Sequence, residues 1–364
     1  ARACTLMKNT AYVGSLAALL NMEVAVIEQL LLDIFGSKTN LIEANKSALQ
    51  LGYDYATANF ICPLPFTTKR ENKTDGYIMI DGNATAALGC LYAGATVGAW
   101  YPITPSTSLM DSFTSYCDFF RKDEATGKNK YAIIQAEDEL AAIGIALGAG
   151  WNGSRSFTPT SGPGISLMSE FLGFGYYAEI PTVVFDVQRT GPSTGMPTRT
   201  QQGDISMLYE ASHGDTQHIV LIPGNVDECF EYAWKAFDYA EKYQTIVFGF
   251  SDLDLGMNQW ASNGFDYPDE PINRGKVIRT KKELDKIKNY GRYRDLDGDG
   301  IPYRTLPGSG LEPMLYRGTG HDEGGIYSEK GPVYRDNMTR LKRKIDGARG
   351  DLPQPIIREE KELE

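Results

Sequence analysis

Four short stretches carry most of the side chains that could do chemistry. The first, Tyr101-Pro102-Ile103-Thr104-Pro105, sets a hydroxyl between two prolines, which stiffen the backbone and aim Thr104. A helix start is the plainer account, with Thr104 or Ser106 as its N-cap, and spacing alone favours it. The second, Glu137-Asp138-Glu139, puts three acids at the head of a helix. Glu137 and Asp138 suit the helix dipole. Glu139 leads directly into apolar sequence, where a carboxyl group can exchange a proton with a ligand. The third, Ser161-Gly162-Pro163-Gly164, reads by default as a tight strand-to-helix turn. Its glycines let a backbone or ligand come close, but no phosphate-loop lysine follows. The fourth runs from Gln188 to Asp204 and is almost free of apolar residues. Arg189 opens it, and a planar guanidinium there could take a carboxylate or phosphate. A salt bridge to a neighbouring acid explains Arg189 equally well.

Other chemistries find less support. Asp295-Leu296-Asp297-Gly298-Asp299-Gly300-Ile301 copies part of a calcium loop, but Leu306 stands where the bidentate glutamate belongs. Asp295, Asp297 and Asp299 are therefore a weak metal candidate, and an Asp/Gly-rich turn is the better account. Gly249-Phe250-Ser251-Asp252-Leu253 lacks the second glycine of a nucleophile elbow. Cys4, Cys62, Cys90, Cys117 and Cys229 include no Cys-x-x-Cys pair, so neither zinc nor an iron–sulfur cluster is expected in this chain. Reduced thiols and a cytoplasmic location are expected. The three histidines are too few for a His-rich metal site. A net charge of −11 argues against nucleic acid. Asn21, Glu23 and Glu28 interrupt the one long apolar stretch, so no membrane span is expected. The chain opens on Ala1 with no basic-then-apolar leader, which suggests a start inside a longer chain. The charged tail after Pro353 reads as solvated.

The elements that must position these stretches follow from periodicity. With 42% apolar and 23% charged residues, the 364-residue chain can bury a sizeable core. Residues 1–60 read as helical, over 11–20, 22–34 and 40–52, with Gly36 and Gly52 as stops. Residues 61–75 form a charged, proline-containing linker. From 76 to 258, short apolar runs (77–80, 131–135, 156–160, 182–187, 218–222, 245–250) alternate with helical patterns (84–99, 106–121, 138–151, 165–178, 204–213, 226–243). This predicts an α/β domain with a six-stranded, mainly parallel sheet. The 140–150 helix is apolar all round and should be buried. Residues 259–364 read as a long linker, an extended connection with one helix over 336–348. Ligands of open parallel sheets bind beyond the strands' carboxyl ends, where all four polar stretches fall.

Taken together, Tyr101-Pro-Ile-Thr-Pro-Ser-Thr107, Glu137-Asp-Glu-Leu-Ala-Ala-Ile-Gly144, Thr160-Ser-Gly-Pro-Gly164, Gln188-Arg-Thr-Gly-Pro-Ser-Thr-Gly-Met-Pro-Thr198 and Ser251-Asp-Leu-Asp-Leu-Gly-Met-Asn258 resemble the α subunit of the 2-oxoacid:ferredoxin oxidoreductases, in the 2-oxoglutarate branch. Residues 291–305 and 317–321 are similar to the same branch, and residues 1–60 resemble the end of the γ domain often fused ahead of α. The resemblance covers nearly all of the chain. It implies a thiamine-diphosphate pyrimidine-binding-type domain at 76–258 that shares its cofactor with a β subunit. Mg2+ and a [4Fe-4S] cluster would then belong to β. The activity implied is oxidative decarboxylation of a 2-oxoacid to acyl-CoA and CO2, with coenzyme A as co-substrate and electrons passed to ferredoxin. By position, Glu139 matches the glutamate that promotes the cofactor's imino tautomer. Thr104, Arg189 and Thr198 match substrate contacts, and Tyr101, Pro102, Ile103, Thr104, Glu139, Ser161 and Gly162 match the cofactor wall. Pyruvate or branched-chain 2-oxoacids remain alternative substrates, and a non-catalytic scaffold subunit is the alternative from another class. The family's α subunit continues into two further domains beyond the point where this chain stops, so a truncated chain is expected.

Overall fold

The computed structural model describes residues 2–311 and 316–357; residues 358–364 of the tail expected to be solvated and the Cys4 side chain lie outside the described residues. The chain divides into two compact units, Ala1–Asp75 and Gly76–Glu364.

The first unit holds α1 (Arg2–Leu20), α2 (Val24–Phe35) and α3 (Thr39–Asn59). Gly36 ends α2 as expected, with φ +54° and its N–H on the Leu32 carbonyl. Gly52 does not stop a helix; α3 runs seven residues past it. A Cβ there would lie 1.8 Å from the Ala11 carbonyl oxygen, and one on Gly14 1.9 Å from that of Leu49. The two glycines let the α1 and α3 backbones touch. The segment after α3 returns to the end of α1, where Leu64 N donates to Leu19 O at 2.7 Å.

The second unit runs β1 (Ile78–Ile80), α4 (Gly82–Tyr92), β2 (Val97–Trp100), α5 (Thr107–Phe120), β3 (Ala132–Gln135), α6 (Glu139–Trp151), β4 (Ser156–Thr160), α7 (Gly162–Tyr177) and β5 (Thr182–Gln188). It continues through α8 (Ile205–Tyr209), β6 (Ile219–Leu221), α9 (Val226–Tyr243), β7 (Ile246–Asp252), α10 (Leu253–Met257), β8 (Trp260–Ser262), α11 (Lys281–Lys286) and α12 (Gly331–Ala348). Six strands form one sheet in the order β3-β2-β4-β5-β7-β6, and every pair is parallel.

The strand count matches the expectation but the membership does not. The pattern over 84–99 is not one helix: α4 stops at Tyr92, Gly94 turns at φ +82°, and Val97–Trp100 enters the sheet between β3 and β4. Its small residues gave no strand signal because they are small for packing; a Cβ on Gly98 would lie 2.7 Å from the Met110 methyl. The run at 77–80 instead pairs antiparallel with β8 in a separate two-stranded sheet. The 204–213 helix shrinks to α8. On one face of the sheet Phe157 meets Phe113, Phe185 and Phe237 edge-on. On the other, Ile143, Leu147, Met168 and Leu172 close over Val184 and Phe248.

The polar connection after β8 lies on this same unit, anchored by buried charge. Arg155, Arg274 and Arg304 surround Glu241 at 3.0, 2.9 and 3.5 Å. Arg292 donates to the Glu179 carbonyl at 2.9 Å, while Arg340 and Lys344 of α12 reach the Glu179 carboxylate at 2.6 and 2.8 Å. Burial pushes the Glu179 carboxyl up, but Arg340 and Lys344 outweigh it and bring it down to about 2. A depressed carboxyl contributes stability above its ordinary 4.5 and loses it as pH falls towards about 2. Glu179→Gln should therefore cost ~3–5 kcal/mol at neutral pH in urea unfolding, because it strands the two cations of α12. The gap to wild type should narrow across that acid window.

Candidate active site

β2 and β3 end side by side: Trp100 pairs with Gln135, and Ala136 N donates to Trp100 O at 2.8 Å. Thr160 at the end of β4 pairs with Asp186 of β5. The four polar stretches therefore leave the carboxyl edge from adjacent strands.

In the first, Ile103 organises the turn. Its carbonyl accepts from Ser106 Oγ at 3.0 Å and Thr107 Oγ1 at 3.2 Å, and its N–H reaches Thr107 Oγ1 at 3.1 Å. Ser106 occupies the N-cap position without a capping bond. Thr104 is exposed, and its hydroxyl has no hydrogen bond among the described residues. Neither residue caps the helix, contrary to the reading that spacing favours. The turn is held from below by Asn83, which is buried and donates to Pro105 O at 2.9 Å and Ser108 Oγ at 2.8 Å. Nothing in the sequence around Asn83 marks it. Tyr101 and Pro102 stand exposed beside it, and Ile103 is half-buried.

Arg189 is only 8% exposed. Its Nη1 donates to the Thr104 carbonyl at 2.6 Å and its Nη2 to the Thr194 carbonyl at 2.9 Å, while Nε has no partner. No acid pairs with it among the described residues, so the salt-bridge account of this arginine fails. Burial lowers its pKa, yet an arginine stays protonated, which leaves an uncompensated cation tying two loops together. That cation suits an anion arriving from outside.

Asp138 caps α6 through Ala141 N at 2.7 Å, and Glu137 is exposed. Glu139 is 6% exposed and makes no hydrogen bond or ion pair among the described residues. Its Cγ lies 2.9 Å from where a Cβ on Gly164 would sit, and that Cβ would also meet Thr160 Oγ1 at 1.9 Å. Glu139 thus packs directly on the Ser161–Gly164 turn. Ser161 Oγ is enclosed there without a partner. A Cβ on Gly162 would meet Asp204 Oδ2 at 2.6 Å. Asp204 and the neighbouring Asp186 were not singled out from sequence, although a charge inside a fully buried strand was the available signal.

The 189–203 loop is stitched by Thr190 N to Arg199 O and Met196 N to Thr190 O, both 2.9 Å. Gly195 sits at φ +59° within 1.9 Å (as a Cβ) of the Thr190 carbonyl. Thr198 is exposed on this loop, and Arg199 Nη1 donates to its carbonyl at 2.8 Å.

The Asp295–Asp299 turn lies apart from these loops. Lys276 takes Asp297 and Asp299 at 2.6 and 2.8 Å, and Arg343 with the Gly298 and Gly300 amides takes Asp295. These carboxylates are already partnered within the turn, and no cluster that could hold a metal occurs among the described residues. Clefts of about 660 and 640 Å³ are lined by α7 with residues 316–320 and by α12 with residues 321–324 respectively, and one of about 670 Å³ by residues 214–217 with α12. None of these includes Thr104, Glu139 or Arg189; Thr104 is exposed, while Glu139 and Arg189 are buried just past the ends of β3 and β5. No helix of the described residues is long and apolar enough to cross a membrane.

An open parallel sheet with polar loops on its carboxyl edge is the frame of the family that residues 88–290 match: pyruvate flavodoxin/ferredoxin oxidoreductase, thiamine-diphosphate-binding. The chain belongs to this family, and its fold is the α/β architecture of that domain. A 2-oxoacid:ferredoxin oxidoreductase α subunit from Aeropyrum pernix is 36% identical over 337 residues, covering 91% of this chain and 51% of that protein. The 2-oxoglutarate synthase subunit KorA of Methanocaldococcus jannaschii is 43% identical over 261 residues, covering 72% of this chain and 66% of its own. Among solved structures, a 2-oxoglutarate:ferredoxin oxidoreductase from Magnetococcus marinus, with 2-oxoglutarate, coenzyme A and succinyl-CoA bound, superposes with a TM-score of 0.79 at 29% identity. It covers 97% of this chain and 60% of that one. The chain spans about half the length of several of the curated relatives it matches.

The glycine contacts are open to a direct check. Gly164→Ala should cost ~1–3 kcal/mol by overpacking Thr160 and Glu139. Gly148→Ala in α6, where a Cβ meets nothing within 4 Å, should instead stabilise by about 0.5–1 kcal/mol through helix propensity. Urea unfolding of both variants decides whether the turn is as tightly closed on Glu139 as described.

Proposed function

We propose that this chain is part of the α subunit of a thiamine-diphosphate-dependent 2-oxoglutarate:ferredoxin oxidoreductase. The observation that carries the reading is Arg189, a buried cation without an acid, bonded to the Thr104 loop on the same sheet edge as an unpartnered Glu139. These residues fit the cofactor and substrate. Glu139 offers a free carboxyl group to an aminopyrimidine, and the Gly164 turn leaves no side chain in its way. Ser161 Oγ, enclosed and without a partner, is a further polar group on that wall. When bound, thiamine diphosphate supplies the carbon nucleophile that opens a 2-oxoacid to decarboxylation.

The chain's own residues divide the remaining work. Glu139 holds and moves a proton at the aminopyrimidine. Arg189 receives the 2-oxoacid carboxylate, and the free Thr104 hydroxyl donates to the carboxylate or keto oxygen. Thr198, on the loop that Arg189 opens, adds a second hydroxyl. Tyr101, Pro102, Ile103 and Gly162 complete the wall.

The exposed Thr104 hydroxyl and the unpartnered Glu139 also argue for a partner. A β subunit would close the site and bring Mg2+ and a [4Fe-4S] cluster; coenzyme A and ferredoxin would take the acyl group and the electrons in the cytoplasm. Residues 1–60 are read as the end of a γ-like domain, 61–75 as a linker, 76–258 as the pyrimidine-binding domain and 259–364 as the connection to a further domain. The KorA relatives favour 2-oxoglutarate over pyruvate or branched-chain 2-oxoacids. A scaffold without catalysis would have no use for Glu139 and Arg189 in this arrangement.

In the assembled enzyme, Glu139→Gln should lower turnover of 2-oxoglutarate with coenzyme A and a viologen dye by roughly 10²–10⁴-fold. Retained turnover would remove Glu139 from the chemistry. Arg189→Lys keeps the charge but loses the fork, and should raise KM for the oxoacid more than it lowers kcat.

A further inference from the structure

The loop that carries Arg189 and Thr198 is bracketed by two acids. Asp186 lies three residues before Arg189, inside β5, and Asp204 follows the last loop residue. Asp186 is fully buried, and Asp204 is partly so. Both oxygens of Asp186 and Oδ2 of Asp204 are enclosed, with no N–H or O–H donor among the described residues. The backbone brings them to one place: Asp186 pairs across the sheet with Thr160, and Asp204 Oδ2 lies against Gly162, two residues further along. Two carboxylates cannot hydrogen-bond unless one of them carries a proton, and enclosed side by side they repel strongly without it.

We propose that Asp186 and Asp204 share a single proton, and that this carboxyl–carboxylate bond is the clasp that closes the 189–203 loop and so positions Arg189 and Thr198. The proposal rests on the reading of Arg189 and Thr198 as substrate contacts. Neither aspartate touches substrate in it; both are positioning residues.

Among the described residues no ion pair competes for either carboxyl group. Beside Asp186, the flanking strands present Thr160 on β4 and Phe250 on β7, neither of them ionisable near neutral pH. Against Asp204 lies Gly162 of α7, which brings no ionisable group. Glu139 packs further along that turn, on Gly164. Arg189 is committed to two carbonyls, and Asp252 of β7 to Leu255 N and Gln202 Nε2. The Asp204 amide donates to Gln188 Oε1 at 3.0 Å, which keeps the two ends of the loop in register. Burial, then the charge of Asp204, pushes the Asp186 carboxyl well above the usual range, and burial raises Asp204 as well. Raised carboxyl groups contribute stability at low pH and lose it as pH rises through their folded values. Alkaline pH therefore releases the shared proton to water and opens the clasp.

The test is hydrogen exchange of peptides covering 189–204, on the protein in its native assembly without substrate, corrected for the intrinsic pH dependence of exchange. The amides of Thr190, Met196 and Arg199, which bond across the loop, report on closure. Wild-type protection should fall on the order of tenfold from mildly acidic to alkaline pH. In Asp186→Asn the amide donates to Asp204 without a shared proton, so protection should stay high and flat with pH. Asp186→Ala should lose protection at every pH. Wild-type protection that ignores pH, or an Asp186→Asn variant that keeps the wild-type pH dependence, overturns the clasp. Those outcomes leave the Glu139 turnover result untouched, so failure of the clasp and failure of the site reading are told apart.

Discussion

The site is organised around one buried guanidinium. Arg189 leaves the end of β5 and, with no acid to meet it, spends its fork on the carbonyls of Thr104 and Thr194. A buried cation without a counterion costs several kcal/mol, so a fold that keeps one has placed it for something other than stability. The same two bonds lock the loop after β2 to the loop after β5. Since β2 also pairs with β3, whose exit leads to Glu139, one side chain couples the positions of the whole wall.

Charge elsewhere in the second unit does the opposite job. Glu179 and Glu241 are buried acids, each met by more than one cation. They fasten a connection that has too few apolar residues to bury itself. Arg292 and Arg304 are fully enclosed although they come from a stretch that reads as an extended connection. Paired charge holds the scaffold, while Arg189 and Glu139 stand without opposite charges at the carboxyl edge of the sheet.

Close approach is the third device. Gly164 lets the α7 turn press on Glu139 and Thr160, and Gly162 admits Asp204. Gly14 and Gly52 do the same for two helices of the first unit. In each case the missing Cβ sets the distance, and the contact that results is specific to the tertiary fold.

Much of this was legible in the sequence. The alternation of short apolar runs and amphipathic segments dictates a parallel α/β sheet, because only that arrangement buries both patterns at once. Hence the exits of β3, β4 and β5 could be located, and Glu139, Ser161, Arg189 and Thr198 singled out by residue type at or after those exits. What remained illegible depends on partners distant in the chain. Val97–Trp100 is a strand because β3 and β4 flank it and α5 packs on Gly98, not because its own residues favour one. Thr104 has a free hydroxyl because the Ser106 and Thr107 amides already donate to the Ile103 carbonyl. Arg189 lacks an acid, and Asp186 faces another, only because of where the loop ends are brought together. Periodicity and side-chain chemistry are properties of the chain; which group meets which, and which is left without a partner, is settled only when the strands come into register.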